Sequence, residues 1–391
     1  MPSTDGDRLV TDGELERALS RSLREVLDLK NWDENAGLEK LATAIPRFVA
    51  SSAENDRRYR ETIRSEVFRC LHTFSDAPKH AGVYTVQDQH LRDVYRNCLL
   101  CGDVEAVNGV SATHEGVAAA LVAIGICLVR YDGKVNSWRT TFLRHDQPLK
   151  AENVLQEIRE VLDRRSRRSP AGSGPGAGRD RLTYLLRRGV MAAAERKTLL
   201  NKAKARWRMG HGMPAPLELL TGSGSMSLID ETLPVLDRLL LQHTRWIFVL
   251  SPGSNFALAT MANALEKGQI AIFQKGKAAL DDILERGHFS HGYRRKVEEF
   301  ALRLGEVMVV GGFRATQHAP GQVFLAHTEH SLAAAVLAMA DACLQPLRGF
   351  PLLLDLAALS ARVFLGMEAF QGMVESAYAK AGMTHLLAMS S

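Results

Sequence analysis

Hydrophobic positions recur along this chain in two rhythms, every third to fourth residue in some stretches and every second residue in others. Up to about residue 95 the helical rhythm holds. "TDGELERALSRSLREVLDLKN" opens on a cap-like Thr11 and Asp12 and sets Leu15, Leu19, Leu23 and Leu27 at steps of four, one apolar stripe. "GLEKLATAIPRFVASS" continues with Leu38, Leu41, Ile45 and Phe48, and Pro46 predicts a break or kink. From about residue 103 the rhythm becomes that of strands. "VEAVNGVSA", "GVAAALVAIGICLVRY" and "KVNSWRTTFLRH" are three such runs, and "YDGK" (Tyr131 to Lys134) is a hairpin turn between the last two. The first run reads as a strand, Val104 to Gly109, that ends in a turn at Asn108 and Gly109.

A helix is predicted from Ala151 to about Arg165, then a flexible linker, "SPAGSGPGAG" at 169–178, then a strongly basic helix over about 180–208. "APLELLTGSGSMS" reads as a strand and turn. Helix "LIDETLPVLDRLLLQH", strand "RWIFVLSPG", helix "NFALATMANALE" and strand "GQIAIFQ" follow, an alternation that implies parallel strands with crossovers. "EVMVVGGF" and "QVFLAHTE" form another strand pair, and the chain closes in helices. The fold class expected is α/β: an RNase H-like mixed sheet over residues 101–391, preceded by a helical region at 1–100.

Composition changes this picture in two places. The longest apolar run, Gly116 to Val129, has 14 residues. A bilayer span needs about 20, so a buried strand is expected and no membrane association. No basic stretch followed by an apolar run opens the chain, so no signal peptide is expected, and five cysteines fit a reducing cytoplasm better than a disulfide framework. Charge is unevenly placed. Between Arg159 and Arg208 stand fifteen Arg and Lys against four acids, a local +11 in a chain whose total is +5. Such a segment can neutralise phosphates, or form a solvated helix face and linker.

Candidate chemistry is sparse. Cys70, His72, Cys98 and Cys101 offer a Cys₃His zinc set, but the leucines between and beside them suit helices packed in a core. "TGSGS" at 221–225 is a glycine-rich turn before a helix without the lysine of a P-loop. "SPGSN" at 251–255 reads as a strand-to-helix turn capped by Ser254 or Asn255. Trp207, among cations, offers a stacking surface or a core ring.

Four landmarks, in order, carry a family resemblance. These are "AVNGVS" followed by the long apolar strand, "LLRRGVMAAAERKTLL", "PLELLTGSGS" with "IFVLSPGSN" after it, and "RGFPLLLDLAALSARV". Over about residues 103 to 384 the chain resembles NurA, a DNA end-processing nuclease that partners the hexameric HerA ATPase. The resemblance implies two divalent ions, Mn or Mg, held by carboxylates at the ends of central strands. The family's first metal-binding Asp falls on Asn108, its helical Glu on Glu195, its second Asp on Thr221 and its C-terminal His on Ala358. Hard dications want anionic oxygens, and only Glu195 keeps one. The resemblance therefore implies a pseudo-nuclease that needs no cofactor: a DNA-binding homodimer working with a HerA-type motor in DNA repair or antiphage defence. Arg164, Arg165, Arg187, Arg188, Arg196 and Lys197 are the expected phosphate contacts. The alternative is a Mn-dependent nuclease that uses Glu195 with relocated ligands. Asp103, Glu105, His114, Glu115, Asp230 and Glu231 are the acids and histidine within reach of the strand ends, although Glu105 shares the strand parity of Val107 and should point away from Asn108.

Overall fold

The structure, a computed structural model, describes residues 11–32, 37–75, 77–115, 120–144, 155, 159, 182–251, 253, 255–287, 289 and 291–382. The chain divides into two compact units, Met1–Tyr59 and Arg60–Ser391. In the first, helix Asp12–Leu19 opens on a reciprocal cap. The Thr11 hydroxyl accepts from the Glu14 N–H at 3.3 Å, and the Glu14 carboxylate accepts from the Thr11 N–H at 3.0 Å. Ser22 and Glu25 repeat the device for helix Leu23–Leu27. Helix Gly37–Thr62 contains Pro46 without interruption, so the break expected there does not occur.

In the second unit the described residues form one nine-stranded sheet. Its strands are β1 Gly82–Thr85, β2 Val104–Glu115, β3 Ala120–Val129, β4 Val135–Arg144, β5 Trp207–His211, β6 Trp246–Val249, β7 Gln269–Lys275, β8 Met308–Arg314 and β9 Gln322–His327. Their order across the sheet is β1-β7-β8-β9-β6-β5-β2-β3-β4. β2, β3 and β4 are antiparallel neighbours, and β5 and β6 then run parallel to β2. Three antiparallel strands beside two parallel ones is the RNase H-like arrangement expected. The rest of the parallel reading does not hold. The crossover after β6 passes over two strand positions, which β8 and β9 fill as an antiparallel pair, and β7 pairs antiparallel with β8 and β1.

Three local expectations are corrected. β1 interrupts the stretch expected to be helical. The basic helix stops at Asn201, and β5 follows from Trp207. "PLELLTGSGS" is not a strand but a short helix, Leu217–Leu220, and a turn. β5 has only five residues, and Trp207 and Met209 are its inward anchors, so its alternation is too brief to stand out from the cations around it.

β3 reads as a continuous apolar run because both its faces are covered. Val122, Ile124, Ile126 and Leu128 lie in the core of one face, covered there by helix Met191–Asn201. Cys127 and Val129 lie in the core of the other, which helix Leu352–Leu365 covers. No helix among the described residues is long and apolar enough to cross a membrane.

Candidate functional site

Asn108 does not end a strand. β2 runs beside β5 only over Val104–Ala106 and then continues against β3 as far as Glu115. Asn108 therefore lies just past the fork where β2 leaves β5. It is 9% exposed. Its Nδ2 donates to the Leu354 carbonyl at 3.3 Å, and its Oδ1 accepts from the Gly109 N–H at 3.0 Å. The amide is thus held on the face covered by helix Leu352–Leu365, and it suits this place because a carboxylate could not donate to that carbonyl.

Gly109 looks the opposite way, as strand parity requires. A Cβ there would meet Ile126 Cδ1 at 2.7 Å, Glu195 Oε1 at 2.8 Å and Met191 Cγ at 2.9 Å. The missing side chain lets helix Met191–Asn201 settle onto β2. Glu195 thus reaches β2 from the Gly109 side, and the Gly109 N–H that donates to Asn108 Oδ1 also draws on the Glu195 carboxylate. Glu105 shares the Glu195 face, as its parity predicts. Its carboxylate accepts from the backbone N–H groups of Lys204 and Ala205, closing the turn that leads into β5.

Glu195 is buried beside an equally buried partner, Arg196, which is 2% exposed. Arg196 Nη1 donates to Glu195 Oε2 at 2.5 Å, Nη2 to the Met213 carbonyl and Nε to the Pro214 carbonyl at 3.1 Å. The guanidinium lies 4.9 Å from the centre of the Phe248 ring. Burial pushes the Glu195 carboxyl above the usual carboxylate range, against the pull of the Arg196 charge and the Gly109 N–H. Arg196 was an expected DNA contact. It is instead a core cation, all of whose polar edges are spoken for.

Thr221 follows the Leu217–Leu220 helix, and its hydroxyl donates to the Leu217 carbonyl at 2.7 Å. Ala358 lies within helix Leu352–Leu365 and brings only a methyl group. The side chain that does stand at the end of the second central strand is His211, which sequence reasoning missed. The alternation Trp207, Met209, His211 was the available signal. His211 Nε2 and Ser251 Oγ, at the ends of β5 and β6, are 2.9 Å apart, and the imidazole stands edge-on to Phe350 at 5.6 Å. Burial lowers the His211 pKa, and the Arg196 and Arg348 charges add to the effect while Asp355 opposes it. The ring is therefore neutral near pH 7. Asp355 accepts from Gln345 and Arg348, both at 2.8 Å.

The other candidates are dispersed. Arg187 and Arg188 are exposed on the wide helical turn Leu185–Val190. Lys197 pairs with Glu231 at 3.1 Å. Arg164, Arg165 and 169–178 lie outside the described residues, as does the helix expected at 151–165 apart from Leu155 and Arg159. Asp230 accepts from Tyr293 at 2.7 Å, Asp103 pairs with Arg206, and His114 meets the Tyr378 hydroxyl at 3.2 Å. Cys70 donates to the Glu66 carbonyl and Cys101 to the Cys98 carbonyl, and the cysteines and His72 do not gather. Asn255 caps helix Phe256–Ala264, accepting from the Leu258 N–H at 3.0 Å. The Trp207 ring is buried.

Among the described residues no three His, Cys, Asp or Glu side chains form a metal-binding group. The four positions singled out by the resemblance offer a dication one amide, one carboxylate paired with a guanidinium, one hydroxyl bonded to its own helix and one methyl group, a set poor in anionic oxygens.

No protein-family model and no curated protein matches the chain. Among solved structures it is similar to the NurA nuclease from Sulfolobus solfataricus, at 9% identity and a TM-score of 0.45, over 86% of this chain and 98% of that one. It is similar to NurA bound to dAMP and manganese at 9% identity and a TM-score of 0.39, over 83% of this chain and 93% of that one. Endonuclease V of Ciona intestinalis, in complex with DNA, is similar at 10% identity and a TM-score of 0.25, over 71% of this chain and 94% of that one. At these identities the likeness is one of fold.

Proposed function

We propose that the chain is a DNA-binding, catalytically degenerate NurA-like subunit, paired with itself and working with a HerA-type hexameric ATPase in DNA end processing, repair or antiphage defence. The observation that carries the loss of catalysis is the closure of Glu195 by Arg196. Of the four positions the resemblance singles out, only Glu195 carries a carboxylate, and it already has a permanent counter-charge. DNA binding draws its support from the basic stretch between Arg159 and Arg208 and from the exposure of Arg187 and Arg188. The motor partner and the pairing draw theirs from the four sequence landmarks alone.

Fluorescence anisotropy with a labelled duplex, across a salt series, tests the binding. Affinity should fall steeply as salt rises. Arg187→Ala with Arg188→Ala should weaken binding to all sequences alike and flatten the salt slope by roughly one per lost contact. Binding that is absent, or indifferent to salt, would overturn the reading.

A further inference from the structure

Cys98 and Cys101 join no third metal ligand among the described residues, but the fold brings the two to one turn. Cys98 lies in helix Tyr95–Leu99, and residues 100–102 form the turn that leads into β2. The Cys98 carbonyl accepts from the Asp103 N–H at 2.9 Å, and the Leu99 carbonyl from the Gly102 N–H at 3.1 Å. Gly102, at φ 76°, supplies the left-handed residue that closes the turn. Leu99 is fully buried and pins it to the core. Residues three apart on such a turn have Cα atoms about 5–6 Å apart. A disulfide spans Cα separations of about 4.4–6.8 Å. The Cys101 side chain also folds back over the turn, its Sγ 3.5 Å from the Cys98 carbonyl oxygen.

The two thiols differ in access. Cys101 is exposed and Cys98 is half-buried. Burial pushes the Cys98 thiol up, the Asp103 charge adds to that, and the Arg206 guanidinium opposes it. Arg206 acts on both sulfurs and is held in place by Asp103. An exposed thiol backed by a recessed one, with a fixed cation beside the pair, is an arrangement suited to thiol–disulfide exchange. The other cysteines lack it. Cys127 is buried in β3, Cys70 donates to the Glu66 carbonyl and Cys343 to the Ala315 carbonyl, and none has a second cysteine within three residues.

We propose that Cys98 and Cys101 are a reversible redox site, closed to a disulfide by exchange with a small disulfide such as oxidised glutathione. The Cys101 thiolate attacks one sulfur of glutathione disulfide, and the first glutathione thiolate leaves. Cys98 then gives up its proton to solvent and attacks the Cys101 sulfur of the mixed disulfide, and the second glutathione thiolate leaves. The pair is oxidised by two electrons, and glutathione disulfide is reduced to two glutathiones. The new bond staples the turn that carries Asp103. That residue's carboxylate holds Arg206, and its carbonyl accepts from the Trp207 N–H at the start of β5. The proposal does not rest on DNA binding.

The test incubates the reduced, full-length chain with excess oxidised glutathione, quenches with acid, unfolds and alkylates with N-ethylmaleimide, and weighs the product by mass spectrometry. Of five cysteines two should be bridged, so the expected product carries three maleimides and no glutathione. Its digest should hold Cys98 and Cys101 in one bridged species, and reduced glutathione should reopen the bridge. Cys98→Ser should stop at the mixed disulfide, with glutathione retained on Cys101. Cys101→Ser should take up glutathione on Cys98 roughly 10-fold more slowly, because that thiol is recessed. A wild type that keeps all five thiols, one that stays glutathionylated without closing, or one that bridges another pair of cysteines would each overturn the proposal.

Discussion

Arg196 is the residue on which the site turns. Its guanidinium is buried against the Phe248 ring and bonded to one carboxylate and two backbone carbonyls. A buried charge is tolerated only while paired, and removing one partner commonly costs about 3–5 kcal/mol. Glu195→Gln should therefore lower the urea-unfolding free energy by roughly that amount. Glu195→Gln with Arg196→Met should recover most of the loss, since neither charge is left behind. Asp341 gives a second test at this scale. It is fully buried, accepting from the Tyr131 hydroxyl and from the Leu353 N–H at 3.0 Å. Burial raises its pKa from 3.8 to about 6. Between those values the folded state holds a proton that the unfolded state has lost, so this group's contribution is present below pH 4 and lost as pH rises through 6. The loss is on the order of 2–3 kcal/mol. His243 acts with the opposite sign. Burial, then Arg208, lowers it to about 4, so its contribution grows as pH rises from 4 towards 6.5. The test is a difference: subtracting the stability profile of Asp341→Asn from that of the wild type should leave a fall between pH 4 and 6. A flat difference would contradict the assignment.

At the scale of elements, β2 joins the two halves of the site, and Gly109 sets how closely they approach. Gly109→Ala would push a methyl group into Ile126, Met191 and Glu195. It should cost about 1–3 kcal/mol, the usual price of overpacking, read as a lower urea midpoint at unchanged slope. Most of the elements were legible in the sequence. The Tyr131–Lys134 turn, the wholly apolar β3, the β8–β9 pair and the terminal helices each announce themselves through a strong local pattern. What escaped was set by contacts distant in sequence. The turn expected after Asn108 is absent because β3 pairs with β2 over seven more residues, Gly109 to Glu115. Thr221 was placed at a strand end because β5 is too short to compete with its basic surroundings. Arg196 looked like a surface cation until the 213–214 carbonyls and Phe248 closed around it. Neighbour identity showed which residue types were present, but not which face of the sheet each one served.

For the whole molecule, the proposed function rests on the charge distribution and on the pairing of Glu195 with Arg196. The basic stretch can neutralise phosphates, and Glu195 is paired with Arg196. On the function proposed above, such a subunit would hold DNA and leave cutting, or the supply of force, to a partner. The most direct measurement incubates the purified chain with linear duplex and single-stranded DNA in Mn²⁺ and in Mg²⁺, following both retention and fragment length. The prediction is salt-sensitive retention with no shortening of either substrate in either metal. Cleavage in Mn²⁺ by the wild type that disappears in a folded Glu195→Gln variant would contradict it.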